Sequence, residues 1–266
     1  MSIWVILILV VVILVLVTSL VLYFIQSRIL FQPEKISKNY QFNFSKIFEE
    51  IFLKAPDGMF LNGVLFQLEK PVGVVIYYHN HSGNLTHCSN AVYTFNRLHF
   101  DVLVMDYRGF GKSEGDYDEA KMYEDANLWY DHAKKHYEEG NIILYGRGLG
   151  ACFAASVASK NNPKLLCIES AMYSLLYATR FHYRYLPIRW ILRYSLNTAS
   201  SLKNVTCKTS IFHGVKDDVI HYSNSEKLHS ISKDTSELIL IPNGTHHNLG
   251  SNPMYLQKIE EILTEL

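Results

Sequence analysis

The chain has 266 residues, a mean hydropathy of +0.02, and 25 Lys plus Arg against 25 Asp plus Glu, so its formal net charge is zero. A chain of this length can bury one sizeable core, and the balanced charge argues against both a nucleic-acid partner and an acidic disordered tail. The four cysteines, Cys88, Cys152, Cys167 and Cys207, lack C-x-x-C spacing and read as small buried hydrophobes rather than a zinc set or a disulfide frame.

Residues 3–25 carry no charge and are dominated by Ile, Val and Leu. At 1.5 Å per residue they reach across a hydrocarbon core of ~30 Å. No basic residue precedes them and no small-x-small cleavage site follows, so they read as an anchor rather than a cleaved signal. Arg28, Lys35 and Lys38 follow the span, and positive-inside bias then puts the globular domain in the cytoplasm, on a single-pass membrane protein. The N-x-S/T sequons at Asn84 and Asn243 fall in loops expected near the functional face, where a glycan would obstruct it, and they read as chance matches. We expect residues 1–27 to be the transmembrane anchor, 28–46 a polar juxtamembrane connector, and 47–266 the globular domain.

From residue 47 the pattern is strand-like. Residues 47–53 and 59–68 alternate apolar and polar side chains around Ala55-Pro56-Asp57-Gly58, which predicts a hairpin. Continuous apolar runs follow at 74–78, 102–105, 142–145, 165–168, 210–212 and 238–241, as expected of strands covered on both faces. Helical stretches are predicted at about 85–98, 120–137 and 253–266. The alternation implies a mostly parallel sheet between helical layers. A cap insertion at about 171–206 interrupts it, with Tyr173, Tyr177, Phe181, Tyr183, Tyr185, Trp190 and Tyr194 interleaved with Arg180, Arg184, Arg189 and Arg193. It leaves a strand's C-terminal end, where open α/β sheets bind ligands, so we expect aromatic walls for a pocket. The alternative is an insertion packed on the domain, or arginines touching anionic lipid.

The segment Asn141-Ile142-Ile143-Leu144-Tyr145-Gly146-Arg147-Gly148-Leu149-Gly150 leads into a small-residue helix. A strand turning into a helix through G-x-x-x-G has the form of the α/β-hydrolase nucleophile elbow, with the nucleophile in the middle. Here Gly148 stands there, so the nucleophile position is vacant. An acid and a histidine should follow at strand ends. Asp217, in Ile211-Phe212-His213-Gly214-Val215-Lys216-Asp217-Asp218, and His247, in Asn243-Gly244-Thr245-His246-His247-Asn248-Leu249, fill those places, with Asp217 expected to bond His247. Read singly, Asp217 could be a turn or capping residue, and either histidine an ordinary loop residue. The backbone N–H groups of Leu149 and His81 are the candidate oxyanion donors.

Together these pieces resemble the membrane-anchored α/β-hydrolase domain proteins of the serine aminopeptidase-like or acyl hydrolase group. The resemblance is carried by His79-Asn80-His81-Ser82-Gly83-Asn84 (HGNAGN in the family pattern), residues 106–115 (DYRGFGKSEG), residues 146–150 (GRGLG against GRSLG), residues 213–218 (HGVKDD) and residues 246–249 (HHNL). It spans roughly residues 45–266 and implies ester or acyl hydrolysis without a metal or organic cofactor. Two departures stand out: Asn80 replaces a glycine, and Gly148 replaces the serine. Three readings follow. One is a pseudoenzyme that binds an acyl or ester-like ligand, or a protein partner, at the membrane. Another is a slow hydrolase in which His247 activates a water, with Ser82 a weaker substitute nucleophile. The last is a scaffold held to the bilayer by the cap arginines. His79, His81, His246 and His247 lie on loops that could converge, but their spacing matches no known zinc set.

Overall fold

In the computed structural model, which describes residues 1–180 and 182–266, the apolar runs form strands and the amphipathic stretches form helices. The first part of the chain forms α1 (Ile3–Leu30), β1 (Gln32–Pro33), β2 (Phe48–Lys54), β3 (Phe60–Phe66), β4 (Gly73–Tyr78), β5 (Ser82–Gly83), α2 (Ser89–Arg97) and β6 (Phe100–Met105). The middle forms α3 (Glu119–Ala133), β7 (Ile142–Arg147), α4 (Gly150–Ala158) and β8 (Leu165–Glu169). The cap contributes α5 (Leu175–Thr179), α6 (Ile188–Ile191) and α7 (Thr198–Leu202); β9 (Lys208–Gly214), α8 (Ser223–Ser230), β10 (Ser236–Ile241) and α9 (Pro253–Thr264) complete the domain.

Among the described residues the main sheet has the order β2-β3-β6-β4-β7-β8-β9-β10. The hairpin β2–β3 and the β3–β6 pair are antiparallel; every pairing from β6 through β4 to β10 is parallel. The fully apolar strands are buried on both faces because each face carries its own helical layer. In β4, Val74, Ile76 and Tyr78 pack into one core, and Val75 and Tyr77 into the other. Since β4 lies between β6 and β7, the loops after β4 and β7 open side by side at the carboxyl ends of their strands, where such sheets bind ligands.

Helix boundaries follow capping chemistry. The stretch expected as one helix over 85–98 starts as a 3-10 turn, Leu85–Cys88, because the Asn84 side chain accepts from Thr86 N–H and closes a tight first turn. This Asn84 is only 3% exposed and also donates to Glu34 O, so its sequon is inside the fold. Asp118 caps α3, and Asn252 with Pro253 starts α9.

The structure modifies two expectations. Residues 28–46, expected as a polar juxtamembrane connector, carry buried aromatic side chains as well. Helix α1 continues to Leu30, β1 pairs in parallel with β5, and Phe31 is 1% exposed between Tyr117 and Tyr194. Phe42 is also buried, so aromatic burial ties this segment to the domain. Among the described residues, the tyrosine and tryptophan side chains of the cap do not wall the pocket beside Asn80: its cap-side lining is Met172, Leu175, Ala178, Thr179, His182 and Leu196. Tyr185 and Trp190 point outward, each 85% exposed, and Phe181 lies outside the described residues.

Candidate active site

The elbow is built by three glycines that leave no room for side chains. A Cβ on Gly146 would meet Gly150 O and Ala151 Cα of α4, and one on Gly150 would run into the carbonyl of Tyr78. Gly148 sits at φ +54°, the strained left-handed conformation of a nucleophile elbow, and its N–H donates to Glu169 O at 2.9 Å. The turn therefore keeps its shape without the hydroxymethyl group.

What stands beside the vacant position is Asn80. A Cβ built on Gly148 would collide with Asn80 Oδ1. That oxygen accepts from the His81 backbone N–H at 2.8 Å and lies 2.9 Å from His81 Nδ1. The Asn80 Nδ2 lies 3.2 Å from His246 Nε2. The carboxamide thus spans from the base side of the site to the expected oxyanion donor. Asn80 is also not there for its backbone: among the described residues the non-glycine residues with positive φ are His99, Ser170 and Leu196.

The acid is where the sequence puts it, but its partner is the other histidine. Asp217 Oδ2 accepts from His246 Nδ1 at 2.9 Å, and both side chains are buried. His247 is exposed, and the imidazole bonded to Asp217 is that of His246. The two rings stand edge to face with centroids 5.3 Å apart, and of the two only His246 is buried against Asp217. With its proton on Nδ1, His246 leaves Nε2 free to accept from the Asn80 amide. The arrangement Asp217–His246–Asn80 is that of an acid, base and nucleophile, with an amide N–H where a serine hydroxyl would donate.

Several contacts fix this geometry. Burial alone would raise the Asp217 pKa, but hydrogen bonds from His213 and His246 and the Ile220 N–H outweigh it and hold the carboxyl well below its ordinary range. His213 is buried and locked between Ser225 Oγ at 2.6 Å and Ile220 O at 2.7 Å. Arg147, just before Gly148 in the elbow, pairs with Glu169 at 3.0 Å and donates to His246 O at 2.7 Å, tying the histidine loop to β7. His81 is pushed down to about 4, first by burial and then by repulsion from His246, His247, Arg147 and His79, so it is neutral at physiological pH. Leu149 heads α4 behind Gly148, and its side chain lines the pocket with Asn80, His81 and His246. That pocket has a volume of about 170 Å³ and a largely apolar wall. Ser82 is exposed on β5, at the edge paired to β1.

The DYRGFGKSEG segment has a structural role. Asp106 is buried and accepts from Leu85 N–H at 2.8 Å, and Arg108 is clamped between Asp125 at 2.5 Å and Asp57 at 2.7 Å. His79 is drawn toward Asp106, with Nε2 3.4 Å from Oδ1. Among the described residues no group of three or more His, Cys, Asp or Glu side chains is arranged to hold a metal ion.

A family model described as serine aminopeptidase, S33, matches residues 69–181. The Pyrococcus furiosus esterase Pf2001 superposes with a TM-score of 0.71 at 18% identity, covering 88% of this chain and 96% of the esterase. The chain carries an α/β-hydrolase domain. Among sequence relatives of this α/β-hydrolase protein, the uncharacterised protein R595 of Acanthamoeba polyphaga mimivirus is 26% identical, over 92% of this chain and 94% of its own. The uncharacterised protein YfhR of Escherichia coli K12 is 27% identical, over 74% of this chain and 73% of its own. The N-terminal helix of the α/β-hydrolase protein is long and apolar enough to cross a membrane, and its most apolar window is not buried against the domain.

Sequence reasoning missed Asn80 as an occupant of the site and chose the wrong member of the His246-His247 pair. A signal for the first was available, because the two departures from the family pattern, Asn80 and Gly148, fall on loops that the sheet order makes neighbours. No comparable signal separates two consecutive histidines.

Proposed function

We propose that this is a membrane-anchored, non-hydrolytic α/β-hydrolase protein that binds an acyl or ester-like ligand in the pocket beside Gly148. The observation that carries the reading is the Asn80 carboxamide, which hydrogen-bonds both the His246 imidazole and the His81 N–H. An ester carbonyl needs those same two groups to be hydrolysed, one as base and one as oxyanion donor. With Asn80 between them, His246 has no nucleophile to activate, and the Leu149 and His81 donors have no oxyanion to receive. The ligand is acyl-like because the pocket wall is apolar, with its polar groups gathered at the Asn80–His246 end. Anchoring rests on the apolar length of α1, and a cytoplasmic domain on Arg28, Lys35 and Lys38 following it. No nucleic acid is involved in this reading, and a protein partner at the membrane would see the cap.

A second reading, slow hydrolysis by an activated water, draws on the intact Asp217–His246 pair. It requires Asn80 to swing aside, because its amide is the group that faces His246 Nε2. One experiment separates the two: fluorophosphonate labelling and p-nitrophenyl ester turnover for the full chain, Gly148→Ser, Asn80→Gly, and the double variant. We expect the parent to be silent, Gly148→Ser to label weakly because its side chain meets Asn80, and the double variant to label and turn over. Adding His246→Ala to the double variant should cut turnover by about 10⁴ or more, whereas His247→Ala should leave it near unchanged. Turnover by the parent that His246→Ala abolishes would sink the non-hydrolytic reading.

A further inference from the structure

We propose that the pocket takes a lipid acyl chain sideways from the bilayer, through the crevice between the last turns of α1 and the cap helix α6. This rests on the acyl-binding reading above and adds the source of the ligand and its route.

The end of α1 is part of the pocket wall. Ile29 and Leu30 line the 170 Å³ cavity beside Asn80 and His246, opposite Leu175 and Ala178 of the cap. The same two residues, with Thr179, also line a second apolar cavity of about 60 Å³. Its remaining walls are Leu22 and Gln26 of α1, Tyr183 of the cap, and Ile188, Ile191 and Leu192 of the α6 region. The two cavities therefore share a wall along α1 and run from the His246 end of the site toward Leu22. A cavity of ~150 Å³ accepts a benzene ring, so the inner pocket suits about six carbons of a chain. A longer chain has to leave along the crevice.

Where the crevice ends is set by a single polar side chain in α1. Gln26 is 5% exposed; its amide donates to Ile191 O at 3.1 Å and accepts from Arg193 N–H at 2.8 Å. A side-chain amide facing hydrocarbon would cost free energy, and here the backbone following α6 satisfies it. Tyr23, one turn earlier, lies under the Arg193 guanidinium at 5.6 Å. A tyrosine beside an arginine is the composition of a membrane interface. Counting back, residues 3–22 rise about 30 Å, the thickness of the hydrocarbon core. The bilayer surface then falls near Tyr23, level with the mouth of the crevice at Leu22.

The cap surface at this level fits the same placement. Trp190 and Tyr185 are each 85% exposed, and Arg184 and Arg189 flank them. On α6, Ile188 and Ile191 face the crevice while Trp190 faces outward. Exposed tryptophan and tyrosine between arginines are costly facing water and favoured among lipid headgroups. The occupant we commit to is a phospholipid acyl chain, since α1 leads from the hydrocarbon directly to the crevice.

The test uses the full chain in phosphatidylcholine nanodiscs in which some lipid carries a diazirine at the end of one acyl chain. Adducts are mapped by mass spectrometry. A parallel arm uses a water-soluble short-chain alkyl ketone bearing the same diazirine. We expect the lipid probe to label pocket residues such as Leu149, Leu175 and Ala178, in addition to lipid-facing positions of α1. Leu192→Trp, which fills the crevice, should reduce pocket labelling by lipid about tenfold or more while the soluble probe still labels, which also shows that the variant is folded. Ala178→Trp, which fills the pocket, should abolish pocket labelling by both probes. Labelling of the pocket by the soluble probe but not by lipid would overturn the bilayer route and leave acyl binding standing. Labelling by neither would overturn both. Lipid labelling unchanged by Leu192→Trp would also overturn the route.

Discussion

Gly148 and Asn80 form one unit, and neither substitution is explained without the other. A side chain at Gly148 would bear the cost of a left-handed backbone, on the order of 1–3 kcal/mol, and would press on Asn80 Oδ1. Conversely, the Asn80 carboxamide needs the space that a glycine leaves. The expected result is strong coupling in a double-mutant cycle read by urea or thermal unfolding. Gly148→Ala should destabilise the parent more than it destabilises the Asn80→Ala background, by about 1 kcal/mol or more. Additive effects would mean that the two residues do not share space. At this scale the sequence revealed the missing serine but not the group that faces the place it left.

At the scale of elements, buried polar contacts hold the loops at the carboxyl ends of β6, β7 and β9. The loop after β6 is the clearest case. Arg108, with its side chain 2% exposed, bridges Asp125 on α3 and Asp57 in the β2–β3 turn, so one guanidinium fastens three elements. Removing one partner of a buried pair leaves the other charge buried and unpaired, which costs about 3–5 kcal/mol. Arg108→Ala should therefore lower the thermal midpoint by on the order of 10 °C, with Asp125 the residue left stranded. A drop of only a degree or two would assign the DYRGFGKSEG segment a role outside stability. The elements themselves were legible, since the period-2 hairpin and the continuous apolar strands fall where the sequence puts them. The connector was not. Its polar average concealed Phe31 and Phe42, which pack against Tyr117 and Tyr194 and against Lys112, distant neighbours that a local window does not contain.

Across the whole molecule, the buried site makes stability depend on pH. His81 is pushed down to about 4 from an ordinary value of 6.5, so the unfolded chain binds this proton more tightly than the folded one. Stability therefore falls as pH drops from about 6.5 to about 4, by on the order of 2 kcal/mol from this group. Asp217 acts lower: its carboxyl is held down in the folded state, so its contribution is present above the ordinary carboxylate value of ~3.9 and is lost as pH falls below it. Urea midpoints measured between pH 7 and 4 should decline for the parent and decline less for His81→Gln. Parallel curves would show that His81 is not buried beside the other imidazoles. The same view of the molecule joins anchor to site, because Gln26 and Phe31 fix the end of α1 against the cap and leave its last residues, Ile29 and Leu30, in the pocket wall.

Residue type and spacing along the chain suffice for the apolar span, the alternation that makes a parallel sheet, the glycine elbow with its vacant centre, and the acid- and histidine-bearing loops at strand ends. These are local: each is set by residue type and spacing within a few positions, which is what periodicity and turn chemistry report. Packing between distant segments sets the rest: His246 rather than His247 meets Asp217, Asn80 stands between base and oxyanion donor, and the cap turns aliphatic side chains inward and Trp190 outward. Each of those outcomes depends on which way a side chain faces once segments far apart in the chain are packed together. Asn80 and His246 are 166 residues apart, and no window along the chain contains both.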